Sequence, residues 1–218
     1  LEPNLILKGT FRRSLKNIPL SVSFDLSQGE SLWKDYYINW NKMPFRGNVS
    51  GQLQVSERRI TDVSVDASIP DFGKFTGTGI IDARQSLLVD LIVKTSGLNL
   101  SSLYPFIIQK RAGSQIPTEI KGEAETRIAL KGDKNAFSLK GHLKILNASL
   151  ATGDQKFSIK GIDAYFPLQY EKNVKLIANE DIPAEKGCLT LSDIHTPMLD
   201  LTSLKLDIST QRNRYVIE

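Results

Sequence analysis

The amino-acid sequence predicts an all-β protein, an elongated, curved and mainly antiparallel sheet with one short helix. Three observations predict this class: apolar and polar residues alternate along most of the chain, turn-forming residues recur at short intervals, and several glycines fall on the apolar phase of the alternation. A period of two is typical of strands with one buried and one solvated face. The pattern leaves open whether the apolar face is a groove or the inside of a sandwich, because both produce the same alternation.

The predicted strands follow one another as a meander of hairpins. Short polar or glycine-containing segments such as 70–73, 131–135 and 152–154 separate them, which is typical of tight turns. A strand-like run also ends the chain at residues 214–218. The alternating segments are 18–26, 45–55, 63–69, 75–81, 87–93, 120–130, 137–145, 157–159, 162–168 and 204–208.

A single segment has helical spacing. Leu100, Leu103, Tyr104, Ile107 and Ile108 follow the i, i+3, i+4, i+7, i+8 pattern of a helix with one apolar face. Two interpretations are open. The helix plugs the end of the sheet core, or it is an amphipathic lid or membrane-touching element, because Lys110 and Arg111 follow it.

The 218 residues are 40% apolar and 24% charged, enough for an ordered core, and no apolar run reaches the length of a membrane span. We expect one β-rich segment, 1–218, of a longer chain; a division into two serial sub-repeats, 1–113 and 114–218, is the alternative. The chain starts at Leu1 without a leader, so we expect a fragment or a processed form whose targeting or anchoring segment lies outside it.

Residues suited to catalysis or metal binding are sparse. Cys188 is the single cysteine, and His142 and His195 are far apart in sequence, so we predict no metal site, no cofactor and no disulfide framework. Phosphate-binding, dinucleotide-binding, zinc-protease and nucleophile-elbow motifs are absent. We therefore predict that the protein is not an enzyme. The net charge of +4 is a mild basic excess. The basic residues do not form a stripe of the kind that would predict nucleic-acid binding.

Glycines and aromatic residues each allow two interpretations. Glycine inside a strand marks strong sheet coiling or close approach of another surface, or it leaves room for a ligand. Gly77, Gly79 and Gly141 are examples. The aromatic cluster that contains Trp33, Tyr36 and Trp40 is interpreted as core or groove packing, with an exposed carbohydrate-binding platform as the alternative.

Several segments resemble a known family. Residues 74–81 (Lys-Phe-Thr-Gly-Thr-Gly-Ile-Ile), the aliphatic strand 87–93 and the turn 96–106 (Ser-Gly-Leu-Asn-Leu-Ser-Ser-Leu-Tyr-Pro-Phe) resemble AsmA-like proteins of Gram-negative bacteria, including the TamB and YdbH branches. Asn99 stands where that family more usually has Asp. The successive strands between 120 and 162 look similar, and the resemblance covers roughly residues 45 to 170.

The resemblance implies a function. AsmA-like proteins are anchored in the inner membrane, cross the periplasm, and form a long curled sheet with an apolar groove thought to carry phospholipid to the outer membrane. Bridge-like lipid transfer proteins are their eukaryotic relatives. The resemblance therefore implies a periplasmic location and an inner-membrane anchor outside this chain. It implies phospholipid or another acyl-chain lipid as partner, with an outer-membrane or periplasmic protein as a further partner.

The predicted site is the apolar face of the sheet. We expect it to bind and conduct lipid, with two alternatives: a closed β-sandwich acting as a structural or assembly module for outer-membrane biogenesis, and a carbohydrate-binding β domain. The residues predicted to line the groove are Val49, Leu53, Val55, Phe75, Ile81, Val89, Leu91, Ile128, Leu130, Leu139, Leu143 and Phe166.

Overall fold

The computed structural model describes residues 4–9, 17–33, 36–84, 87–102, 119–153, 156–172, 185–211 and 214–217. Within these ranges the protein is all-β, as predicted. The strands are β1 (Asn4–Gly9), β2 (Asn17–Leu26), β3 (Glu30–Trp33), β4 (Tyr36–Asn39), β5 (Phe45–Gln54), β6 (Arg59–Ile69), β7 (Gly73–Asp82), β8 (Leu88–Asn99), β9 (Glu119–Gly132), β10 (Phe137–Ala151), β11 (Ser158–Lys172), β12 (Glu185–His195), β13 (Asp200–Gln211) and β14 (Arg214–Ile217).

Twelve of these strands form one open antiparallel sheet in the order β1-β2-β5-β6-β7-β8-β9-β10-β11-β12-β13-β14. Strand order equals chain order, which is the predicted meander, except that the separate β3–β4 hairpin lies between β2 and β5 in the chain. β8 pairs with β9, so the sheet continues from the first half of the chain into the second.

The register assigns each residue to one of two faces. Directly opposed residues in an antiparallel pair lie on the same face, and neighbours along a strand lie on opposite faces. One row of opposed residues consists of Val22, Val49, Val65, Gly77, Val93, Ile128, Gly141 and Leu168. The adjacent row on the other face consists of Ser23, Asn48, Asp66, Thr76, Lys94, Arg127, His142 and Pro167. We call these the apolar face and the polar face.

Five strands carry an extra residue that shifts the register. These residues have left-handed backbone conformations with φ between 42° and 60°: Asp62, Gly97, Asn147, Gly161 and Asp193. The residue that follows each of them is buried and apolar: Val63, Leu98, Ala148, Ile162 and Ile194. A bulge resets the alternation by one position and bends the strand. Here each reset returns an aliphatic side chain to the apolar face.

Two glycines show why side chains are excluded at their positions. A Cβ on Gly79 would overlap the carbonyl oxygen of Asp90, and a Cβ on Gly141 would overlap that of Arg127. Both oxygens belong to the neighbouring strand. The space beside these glycines is therefore filled by backbone, which favours the coiling interpretation over a ligand space at these two positions.

Several strand boundaries differ from those that the alternation predicts. β8 runs to Asn99 rather than ending at Val93, because the bulge at Gly97 lets pairing with β9 continue. β12 was not predicted at all. Helical backbone begins at Leu100 and includes Ser101 and Ser102. The remaining predicted helical positions lie outside the described residues.

A packed cluster lies at one end of the apolar face, which we call the packed end. Phe72, Leu98 and Ala124 are its buried residues. The ring of Phe72 stacks on that of Phe75, with centroids 6.1 Å apart and planes 15° apart. Phe75 in turn lies edge-on to Phe45 at 6.1 Å, and Phe45 contacts Phe24 at 5.0 Å. The partly buried residues around the cluster are Ile69, Phe75, Leu100 and Leu143.

Candidate functional site

Eleven of the twelve predicted groove residues lie together on the apolar face. The registers place Leu91, Leu130 and Leu139 in one row across β8, β9 and β10. Leu53 and Ile81 lie in the next row, through Ile60. Val55 lies in the turn after β5, outside the strand, with 48% of its surface exposed. The other six predicted residues on this face are Val49, Phe75, Val89, Ile128, Leu143 and Phe166.

The apolar face is only partly covered. All eleven residues are half-buried, and none is fully buried. The largest side chains that are completely buried in the described part of the chain are Thr210 and Pro167, neither of them a large aliphatic or aromatic residue. A dry protein core would enclose residues such as Leu91 or Phe166 entirely. This face therefore retains apolar surface that can contact another molecule.

An apolar hollow of about 650 Å³ lies where the face meets the turns that join β7 to β8 and β9 to β10. We call this region the open end. Leu87, Val89, Leu130 and Phe137 line it, together with the backbone of Gly132. Leu87 is 63% exposed. The volume is in the range of small-molecule sites, and the lining is mainly aliphatic and aromatic.

Aromatic and cationic side chains border the open end. The rings of Phe137 and Tyr170 are tilted against each other with centroids 5.6 Å apart. Tyr170 is opposite Leu139 in the β10–β11 register, so it shares the apolar face. Lys134 lies in the turn and lines the hollow. The open end thus has an apolar floor and an amphipathic border.

One polar pair lies within the apolar face. The hydroxyls of Thr95 and Thr126 are 3.0 Å apart, and the Thr126 N–H donates to the Thr95 hydroxyl at 2.9 Å. The two side chains are opposed across β8 and β9. Because each hydroxyl has a partner in the other, the pair does not require water or a ligand to satisfy it.

The polar face has the ion pairs of a solvated surface. Arg46 pairs with Asp25 at 3.0 Å and Lys131 with Asp90 at 3.5 Å, with all four side chains substantially exposed. A hydrogen bond from Ser27, with the nearby Arg46 guanidinium, lowers the pKa of the Asp25 carboxyl from its ordinary value. Exposed pairs of this kind contribute little stability, because water screens them.

The two histidines have separate partners. The His142 ring stacks on Tyr165 with centroids 5.2 Å apart, on the polar face. His195 Nδ1 hydrogen-bonds to the Asp200 carboxylate across the β12–β13 hairpin. Among the described residues no three His, Cys, Asp or Glu side chains group closely enough to hold a metal ion.

Two other hollows have mixed linings that include several charged side chains. One of about 790 Å³ is lined by Glu119, Lys121, Glu123 and Lys160 among others. One of about 420 Å³ on the polar face includes Arg127, Lys140 and Glu185. Charged linings disfavour aliphatic chains, because the charges would lose hydration without gaining a partner. The 650 Å³ hollow is therefore the better candidate site.

Three apolar or aromatic residues of the open end were missing from the predicted groove. Phe137 and Leu87 were visible in the sequence as members of alternating segments, and their phase matched that of Leu139 and Val89. Tyr170 lies beyond the predicted end of its strand at residue 168, and β11 continues to Lys172. Counting every apolar member of each segment, and extending the segment that ends at residue 168 to its flanking turn, would have found all three.

The carbohydrate alternative rests on the β3–β4 hairpin. Trp33 and Tyr36 are opposed in its register. Their side chains lie outside the described residues. Trp40 is half-buried, and its backbone N–H donates to the Gly29 carbonyl at 2.9 Å.

Comparisons with known proteins add no relative. No family model matches the chain, and no curated protein or solved structure is significantly similar to it. Within the part of the chain that the structure describes, no helix is both long and apolar enough to cross a membrane. The site is therefore interpreted from its own geometry as an apolar surface on a single open sheet.

Proposed function

We propose that this protein binds lipid on its apolar face and transfers it along the sheet. The observation that carries the proposal is that one row of opposed residues on that face runs without interruption from Val22 on β2 to Leu168 on β11. The side chains in this row are only half-buried. A ligand that covers these side chains would complete the burial that the sheet alone does not provide.

An acyl chain fits the chemistry of this surface. The transfer free energy of an aliphatic chain is proportional to the apolar area removed from water, at about 25 cal/mol per Å². Continuous contact along a trough therefore contributes more than isolated polar contacts. Because binding of this kind needs no nucleophile, acid or metal, the proposed protein is a carrier and not an enzyme.

The resemblance to AsmA-like proteins supports the same function. It also supplies the proposed route, in which phospholipid moves between the inner and outer membranes across the periplasm. The anchor and any protein partner would belong to segments or chains beyond these 218 residues.

The sandwich alternative has less support. A sandwich needs a second sheet of similar size packed about 10 Å from the first. In the described ranges the second sheet has two strands, β3 and β4, against twelve in the main sheet. A sheet of two short strands cannot cover a face that spans twelve.

The decisive variant is Leu91→Asp. Leu91 is half-buried on the apolar face, between Gly79 and Leu130, so an aspartate there would place a charge in the lipid path. We expect at least about a tenfold loss of affinity for a fluorescent phospholipid, equivalent to about 1.4 kcal/mol, measured by titration and by vesicle-to-vesicle transfer.

Thr78→Asp is the matched control. Thr78 is exposed on the polar face of the adjacent strand. Its replacement by aspartate therefore adds the same charge without altering the apolar face. Circular dichroism establishes that both variants are folded. Equal lipid binding by folded Leu91→Asp, Thr78→Asp and wild-type protein would refute the proposal, and so would a wild-type protein that binds no lipid.

A further inference from the structure

Two lysines lie at the border of the open end. Lys172 is opposite Phe137 in the β10–β11 register, and Phe137 is opposite Gly132 on β9. Lys172 therefore lies in a row of the apolar face, where a charged residue is unexpected. Lys134 lies in the β9–β10 turn and lines the same hollow, next to Phe137. We call Lys134 and Lys172 the border lysines.

The border lysines have no ion pair with any described residue. Some other lysines of the sheet do: Lys131 pairs with Asp90 at 3.5 Å, and Lys140 with Glu171 at 3.7 Å. Glu171 precedes Lys172 but lies on the polar face, with Lys140. The border lysines therefore leave cationic groups available beside the hollow.

The acidic residue next to Lys134 in sequence already accepts hydrogen bonds from the backbone. Asp133 Oδ1 accepts hydrogen bonds from the backbone N–H groups of Asn135, at 2.8 Å, and Ala136, at 2.9 Å. This arrangement closes the β9–β10 turn and directs the carboxylate oxygen toward the backbone. It positions Lys134 on an ordered turn.

Aromatic surface completes the border. Lysine can lay its aliphatic stem along apolar side chains while its ammonium group stays in water, as at membrane interfaces. Phe137 and Tyr170 provide such a surface, and Tyr170 is 46% exposed. An apolar floor, aromatic rings and free cations together match a molecule with an aliphatic tail and a negatively charged head.

We propose that the open end selects phospholipids whose head group carries a net negative charge. The tail occupies the hollow between Leu87 and Phe137, and the phosphate lies at the border lysines. This inference rests on the lipid binding proposed above and specifies the lipid class. A zwitterionic lipid of the same chain length places a cation of its own near the lysines and gains less.

The test compares two lipids with identical acyl chains, a phosphatidylglycerol and a phosphatidylcholine, on the whole 218-residue protein. At low salt we expect phosphatidylglycerol to bind about fivefold more tightly, as for a few exposed charge contacts. The Lys134→Glu/Lys172→Glu variant should lose this preference, because its affinity for phosphatidylglycerol should fall further than its affinity for phosphatidylcholine. Raising the ionic strength should reduce the wild-type preference.

Lys74→Glu/Lys94→Glu is the matched control. Both lysines are exposed on the polar face, and the net-charge change is the same. If this control loses the preference equally, overall charge explains it and the inference is wrong. If the wild-type protein binds both lipids equally, the inference fails although lipid binding stands. If neither lipid binds, the proposed function itself fails.

Discussion

The packed end and the open end of the apolar face use the same strand pattern with different results. At the packed end the turn between β6 and β7 places Phe72 over Leu98 and Ala124, and all three are buried. At the open end the turn between β7 and β8 leaves Leu87 mostly exposed beside a hollow. Alternation creates an apolar face, but the turns decide whether that face is covered.

The largest expected effect is on stability at the packed end. Phe72 is 8% exposed and stacks on Phe75. We expect Phe72→Ala to lower the free energy of unfolding by about 3 kcal/mol, because it removes a buried ring and leaves a cavity. Phe137→Ala makes the same deletion at the half-buried open end and should cost about 1 kcal/mol. Urea denaturation of both variants checks the difference, and equal losses would remove the distinction between the two ends.

A smaller stability effect is expected where the open end is most exposed. Leu87→Ala should change the free energy of unfolding by less than about 0.5 kcal/mol, because the side chain is already in contact with water. Its affinity for phospholipid should nevertheless fall by about threefold, since a wall of the hollow is lost. Unchanged affinity in a lipid titration would show that the tail does not reach Leu87.

The smallest expected effect concerns the turn beside Leu87. Hydrogen bonds from the Arg84 side chain and backbone N–H lower the pKa of the Asp82 carboxyl from its ordinary value. Ionised Asp82 therefore favours the folded state above the unfolded pKa of about 3.9, and this contribution is lost as the pH falls through the lower folded pKa. In Arg84→Gln we expect the Asp82 pKa, followed by carboxyl NMR titration, to rise toward its ordinary value. An unchanged pKa would show that the Arg84 side chain does not cause the shift.

Much of the fold could be predicted from alternation, and the failures have physical causes. β5, β7 and β9 contain no inserted residue, so the phase of alternation is constant along each of them and their faces could be assigned correctly. β8 and β10 change phase at Gly97 and Asn147, where a left-handed residue is inserted. Because the inserted residue interrupts the strict alternation of apolar and polar residues, a prediction from alternation alone ends the strand near the bulge.

The candidate site was less predictable than the face that carries it. Val55 continues the alternation of β5 but belongs to a turn, because the β5–β6 hairpin closes directly after Gln54. Lys172 could not be placed from sequence, since a lysine after a strand normally indicates solvent. Its place opposite Phe137 depends on the pairing register between two strands, which alternation alone does not give.

The bulges have a consequence for the uniqueness of the fold. A strand of repeated valine and leucine could slide by two residues along its neighbour without changing the character of either face. Each left-handed residue is a fixed landmark that breaks this equivalence, because its buried successor fits only one site, as Ala148 does against Ile162. The apolar face can thus have the same aliphatic character along its whole length while its strands align in a single register.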